Sequence, residues 1–501
     1  MMNGEGLISS WPPAPVGQPE PSPLSYGGEA NAMKRFPLMS LGITLTVLVA
    51  QPGGAQPLPE ASPPAATTPV PAETAALAIL NQGVDRYNDG DWEAALEDFN
   101  RALEINPNLA DAYLYRGLVY SQQGNDVQAL IDLNRAVELA GDNPTAYLTR
   151  GAMLYGQGEL AAAQADFERA IELDPDSANA YLYRGLIDAQ AGRQELALED
   201  FSRAIELDPD NPRAYVLRGF VLEDGDRYGE AIADFTQALA LDPDLARAYM
   251  GRGVAHYHLN ADDRALQDLN RAIRLDPNLA AAYLNRSHVW YRQGRTDQAL
   301  ADLNRAIELN PELAEAYRSR GLIRGQQRDL SGATQDLSRV TQLQPESALA
   351  YKQKGDLMLQ AGNLVGAMAA YDQALLLDST YGAAYKARGD ARLASGDGFG
   401  AIDDYTQAVA AQPDDWSAYA ARAQAYLRVD QVQRAYDDLT LVIMADPTSS
   451  DPEIFFNRGV IRARLGDDQG ARRDLEQAGQ LYLRQGNGAG YRQALEQMRG
   501  L

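Results

Sequence analysis

The chain's histidines are His256, His258 and His288. They are its candidates for a metal ligand or a general base. His256 and His258 stand two apart in a segment of helical pattern, so their rings point to different faces. A metal needs ligands that converge, and no Ser/His/Asp order stands out for nucleophilic catalysis. The absence of Cys removes disulfides, thiolate nucleophiles and thiolate metal sites, and leaves the redox compartment undecided. No glycine loop that could cradle a phosphate is present. The expectation is a chain with no catalytic residue, no metal and no cofactor. A net charge of −25 repels phosphate backbones and argues against nucleic acid as a partner.

The charges that do recur form two columns. Arg116, Arg150, Arg184, Arg218, Arg252, Arg286 and Arg320 follow one another at steps of 34. So do Asp98, Asp132, Asp166, Asp200, Asp234, Asp268 and Asp302. Asp474 and Arg492 extend the pattern at the C-terminal end. This chemistry is guanidinium–carboxylate pairing, and it is structural rather than catalytic. In one arrangement each Asp pairs with the Arg of the next unit. Two residues favour it: the first unit has Gln82 where the Arg is missing, and Arg492 falls in register to serve Asp474. Pairing within a unit leaves Asp98 alone, whereas pairing between units leaves Arg388 alone, because the ninth unit has Ala370.

The columns require elements that repeat. AYLYRGL occurs at 112–118 and at 180–186, with TAYLTRGA halfway between at 145–152. A small residue marks each unit: Gly83, Gly117, Gly151, Gly185, Gly219, Gly253, Ser287, Gly321, Gly355, Gly389, Ala423 and Gly459. Four residues earlier stands an aromatic from the second unit onward, twelve later an Ala, sixteen later a Phe, Leu or Tyr. These steps have the helical period. Seven residues after the marker comes Gly in eight units and Asp226, Asn260, Arg328 or Asp430 in the others, residues that suit or tolerate a left-handed helix stop to different degrees. Pro closes nine units, among them Pro107 and Pro175. Two short helices cannot bury an apolar face alone, so neighbouring units must stack.

Units such as AYLYRGLIDAQAGRQELALEDFSRAIELDPDN, residues 180–211, resemble tetratricopeptide repeats. The resemblance covers residues 73–485 in twelve units, with 486–501 as a capping helix. It implies an all-α solenoid, a right-handed superhelix of antiparallel helix pairs whose first helices line a concave groove. On the family pattern that groove carries Leu114, Leu118, Leu148, Tyr155, Leu182, Leu186, Val216, Phe220, Met250, Val254, Tyr257, Leu284 and Tyr291, then a stripe of Arg318, Lys352 and Lys386. Such a trough would hold a protein or peptide segment, with apolar anchors for affinity and charge for register. The same Leu stripe also fits packing between neighbouring first helices. Lys-and-Asn carboxylate clamps known in some family members have no counterpart, since Asn never follows the small marker.

The N-terminal segment differs from the repeats. Residues 1–32 are rich in Pro, Gly and Ser. Lys34 and Arg35 precede an apolar run from Phe36 to Ala50, followed by Gly53 and Ala55. That order is the order of a secretory signal peptide over 33–55, with translation starting at Met33 and a Pro-rich linker over 56–72. The reading is therefore a non-enzymatic interaction scaffold, exported to a periplasmic, luminal or secreted location if that signal is used and cytoplasmic otherwise. The alternatives are a self-assembling structural protein and the regulatory partner of a separate enzyme.

Overall fold

A computed structural model describes the chain from Ala72 to Leu501. The expected extension over 1–32, the expected signal peptide over 33–55 and the expected linker up to residue 71 lie outside the described residues. Within them are 25 helices and no strand. Helices α1 (Ala72–Asn88) and α2 (Trp92–Ile105) form one hairpin, and α3 (Ala110–Gln122) and α4 (Asp126–Leu139) the next. The pairing runs through twelve hairpins to α23 (Pro452–Arg464) and α24 (Asp468–Arg484), and a single helix α25 (Gly488–Arg499) follows. The fold class is an all-α solenoid of helix pairs. Two compact units divide it, one ending at Val289 and one beginning at Trp290.

Each hairpin turns where the sequence allows a positive φ. All twelve positions seven residues after the small marker adopt one, from Gly90 at 80° to Gly466 at 83°. The four without glycine are Asp226 at 60°, Asn260 at 58°, Arg328 at 64° and Asp430 at 61°. Asn and Asp tolerate this region, but Arg bears the full Cβ penalty. The second helix then starts on a cap: Asp91, Asn125 and Asp397 each accept the N–H three residues on.

Between the two helices the fit is close. The recurrent Ala is fully buried in every repeat, and Phe99, Phe167, Phe201, Phe235, Tyr371 and Tyr405 are at 0 % exposure. A Cβ on Gly151 would stand 2.7 Å from the Phe167 ring, well inside contact distance. Where the marker is Ala423 the facing position is the smaller Leu439. The first helices of successive repeats also touch. Pro144–Gly156, Ala178–Gln190, Pro212–Asp224 and Ala246–His258 form one such row, and Ala348–Gln360, Gly382–Ser395 and Trp416–Arg428 another.

Candidate binding face

In nine repeats the charge columns close within the repeat, not between repeats. Arg116 donates from Nε and Nη2 to the two oxygens of Asp132, at 2.7 and 2.8 Å. Arg150 does the same with Asp166, at 2.8 and 2.6 Å. Arg184–Asp200, Arg218–Asp234, Arg252–Asp268, Arg320–Asp336, Arg388–Asp404, Arg422–Asp438 and Arg458–Asp474 repeat this fork. The between-unit ladder is therefore incorrect: Asp132 is bonded to Arg116, and Asp474 to Arg458. Arg492 is exposed. The geometry is steric in origin, since marker and Asp face one another across the hairpin: the Asp166 Cβ would lie 3.1 Å from a Cβ on Gly151.

Two devices complete the network. The third guanidinium nitrogen reaches back to a polar residue on the preceding repeat's second helix. Arg116 Nη1 donates to Asn100 at 2.6 Å, Arg218 to Ser202 at 3.0 Å and Arg320 to Asn304 at 2.7 Å. A Tyr three residues before the Arg lies under its plane, 5.3 Å away for Tyr113 and Arg116. The first repeat, with Gln82, supplies its cation one turn later: Arg86 Nη1 stands 2.7 Å from the fully buried Asp98. Arg324, Arg392 and Arg462 occupy that second position and give Asp336, Asp404 and Asp474 a second guanidinium. The Asp132 bond raises the Arg116 guanidinium above its ordinary value, and Asp166 acts likewise on Arg150.

Most of the apolar residues assigned to the groove serve packing. Leu114, Leu148, Tyr155, Leu182, Leu186, Val216, Met250 and Tyr257 belong to core clusters. Leu118 and Leu284 are buried as well. Phe220, Val254 and Tyr291 are half-buried, with Phe220 set edge-on to Phe235 at 5.1 Å. The cationic stripe is neutralised on its own helices. Lys352 pairs with Asp356 at 2.8 Å and Lys386 with Asp390 at 3.5 Å. Each of these carboxylates also accepts a buried tyrosine hydroxyl, from Tyr371 at 3.0 Å and Tyr405 at 2.7 Å. Arg318 lies 3.4 Å from Glu315 and donates to Gln344. Burial raises the Asp356 and Glu315 carboxyls, against the pull of Lys352 and Arg318.

One cluster on the first helices of repeats three to five retains open hydrogen-bonding capacity. Gln190 donates its amide to the Tyr155 hydroxyl at 2.7 Å, which leaves the shielded Gln190 Oε1 without a partner. Arg213 lies over the Tyr183 ring at 5.5 Å, and its Nη2 is shielded and unpartnered too. Beside them Asp188 holds Arg193, and Gln194 donates to Asp224. The pairing of a Tyr four residues after the marker with a Gln five after the next marker recurs as Tyr291 and Gln326. Among the described residues no group of three His, Cys, Asp or Glu is placed to hold a metal ion. No helix among them is long and apolar enough to cross a membrane.

Stacked helix hairpins whose two helices are locked by bidentate Arg–Asp pairs define a repeat-built solenoid. The chain belongs to the tetratricopeptide repeat family. The family's models match as TPR repeat over 85–124 and 288–328, and as tetratricopeptide repeat over 148–212, 220–280 and 320–383. Proteins of this family are typically scaffolds for protein interaction. Among solved structures, the chain is similar to an anaphase-promoting-complex hetero-tetramer, Cut9–Hcn1, at 12 % identity over 85 % of this chain and 96 % of that one, TM-score 0.43. Yeast Tom70 matches at 15 % identity over 85 % and 96 %, TM-score 0.37. YrrB, described as a TPR protein with an unusual peptide-binding site, matches at 23 % identity over 38 % and 97 %, TM-score 0.33. No curated protein matches the sequence.

Proposed function

We propose that the chain is a non-enzymatic scaffold that grips a protein or peptide segment along the row of first helices in repeats three to five, and that it works after export. The observation that carries the binding reading is the pair of shielded, unpartnered atoms, Gln190 Oε1 and Arg213 Nη2. A buried polar atom without a partner costs free energy that a ligand can recover. One atom accepts and the other donates, which suits a peptide amide on one side and a carbonyl or carboxylate on the other. Tyr155 and Tyr183 give that segment aromatic walls. Capture of a partner from extracts of the producing cell, followed by binding of the purified partner, tests the reading. Arg213→Ala and Gln190→Leu should each weaken binding at least about tenfold with helicity unchanged. Undiminished binding in both would sink this placement. Leu182, at 2 % exposure, is unsuited to the test because its replacement would open the core.

Export rests on the order of Lys34, Arg35, the apolar run 36–50 and the small residues at 53 and 55. N-terminal sequencing of protein from the producing cell checks it. A mature end near Gln56 supports export, and an intact N-terminus at Met1 refutes it.

A further inference from the structure

The outer surface of the second helices changes character along the chain. The positions 10, 14, 18 and 21 residues after the marker share one helix face, since 11 residues make about three turns. The first and last of these are exposed in all twelve repeats. In repeats two, three and four this face is tied by Arg–Glu pairs, Arg135–Glu138, Arg169–Glu172 and Arg203–Glu206, at 3.0, 2.8 and 3.1 Å. In repeats nine to eleven the corresponding residues are Gln373 and Leu376, Gln407 and Ala410, Leu441 and Met444. Val365 and Phe399 stand at the leading position of repeats nine and ten. Exposure reaches 77 % for Val365, 76 % for Leu376, 64 % for Phe399 and 71 % for Met444. The helix Leu364–Leu377, LVGAMAAYDQALLL, is apolar all round except for Asp372 and Gln373. Such a helix belongs in an interior, yet its outer side stays exposed among the described residues.

We propose that this face is the interface of a two-fold homodimer. Charge selects a second copy as the occupant. A chain of net charge −25 repels its own copies everywhere except where its charge is sparse. The twelve outer positions of repeats nine to eleven carry two acids, Asp403 and Asp437, and no cation, so a charged partner finds nothing to pair with. The pattern is also self-complementary. A two-fold axis lying in this face along the middle helix, Gly398–Ala411, sets Leu376 of one copy against Met444 of the other and brings the two Phe399 rings together. The five side chains present roughly 100 Å² each, so about 1,000 Å² is buried over both copies, at the lower bound for a specific interface. The dimer is accordingly weak, with Kd on the order of micromolar. This inference is independent of the first-helix binding site.

Sedimentation velocity on the full chain from about 1 to 100 µM should show a monomer–dimer equilibrium. Leu376→Glu with Phe399→Glu should stay monomeric throughout, with unchanged circular dichroism, because both side chains already face solvent. The chain has no Cys, so Phe399→Cys alone should give a disulfide dimer on mild oxidation, and Glu195→Cys, its counterpart in repeat four, should not. A wild-type chain that stays monomeric at every concentration overturns the proposal, as it would if the face belongs to a different protein. Dimerisation of the double Glu variant at the wild-type midpoint overturns it too, as does crosslinking of Glu195→Cys at the Phe399→Cys rate.

Discussion

Gly151 and Phe167 are the sharpest test of how a hairpin is held together. A Cβ on Gly151 lies 2.7 Å from Phe167 Cε1 and 3.1 Å from the Asp166 Cβ, against about 3.5–4.0 Å for relaxed contact. The ring is fully buried, and Asp166 is fixed by Arg150, so neither neighbour can withdraw freely. Overpacking of this kind costs about 1–3 kcal/mol. Replacing a mid-helix Gly by Ala returns about 1 kcal/mol of helix propensity. Gly151→Ala should therefore destabilise repeat three by about 0–2 kcal/mol, the difference of those two effects. In a Phe167→Ala background the ring is gone and only the Asp166 Cβ at 3.1 Å still crowds the site, so the same change should be neutral or stabilise by up to about 1 kcal/mol. The coupling between the two substitutions is then about 1–2 kcal/mol, most of the overpacking cost, above the ~0.5 kcal/mol expected of independent sites. A long repeat array does not unfold as one unit, so the readout is amide exchange in Pro144–Gly156 and Leu160–Leu173. Additive effects within about 0.5 kcal/mol would refute the steric account of the marker column.

Arg150→Lys removes the fork on Asp166 and the bond to Asn134, and should weaken repeat three by about 1–3 kcal/mol in the same exchange measurement, while Asn134→Ala loses only the outer bond, about 1 kcal/mol. Arg328 holds φ at 64°, so Arg328→Gly should stabilise repeat eight by roughly 0.5–1 kcal/mol, seen as slower exchange in Leu330–Leu343. Burial raises the Glu453 carboxyl, partly opposed by the Tyr482 hydroxyl that donates to it at 2.7 Å. A raised folded-state value means that the favourable contribution is complete below the ordinary carboxylate range and is lost as pH rises through the folded-state value. Glu453→Gln keeps the acceptor without the charge, so it should slow exchange in α24 at pH 7 and leave it unchanged at pH 4. Equal effects at both pH values would remove burial as the cause.

The periodic features were legible because each is written in residues of the same repeat or in a fixed backbone demand. The column of Gly, Asn and Asp seven after the marker is an example: the αL turn needs φ above zero, and few residues accept it. Arg328 sits there because the turn is held by the helices on both sides. The direction of the ion pairs runs opposite to the between-unit ladder expected from Gln82 and Arg492, although residues that vary together carry it. Ala370 replaces the Asp in the repeat whose cation is Lys354, and Gln82 is followed one turn later by Arg86, which serves Asp98. Both fit pairing within a repeat, and both are visible only once the unit is treated as a closed set of charges.

The binding face was less legible, for a physical reason. A leucine that packs on the next repeat's first helix and one that waits for a partner have the same type and the same spacing, because both lie on the side where first helices meet. Leu186 and Phe220 hold the same column, one residue after the marker, yet the first is at 0 % exposure and the second is half-buried. Only the neighbour's side chain separates them. Polar atoms are more telling, because an unmet hydrogen bond costs whatever surrounds it. Gln190 and Arg213 stand in different repeats, 23 residues apart, and nothing periodic links them. The residues most suited to recognition in a repeat protein are those that depart from its period, and they emerge only after the period has been used to place them.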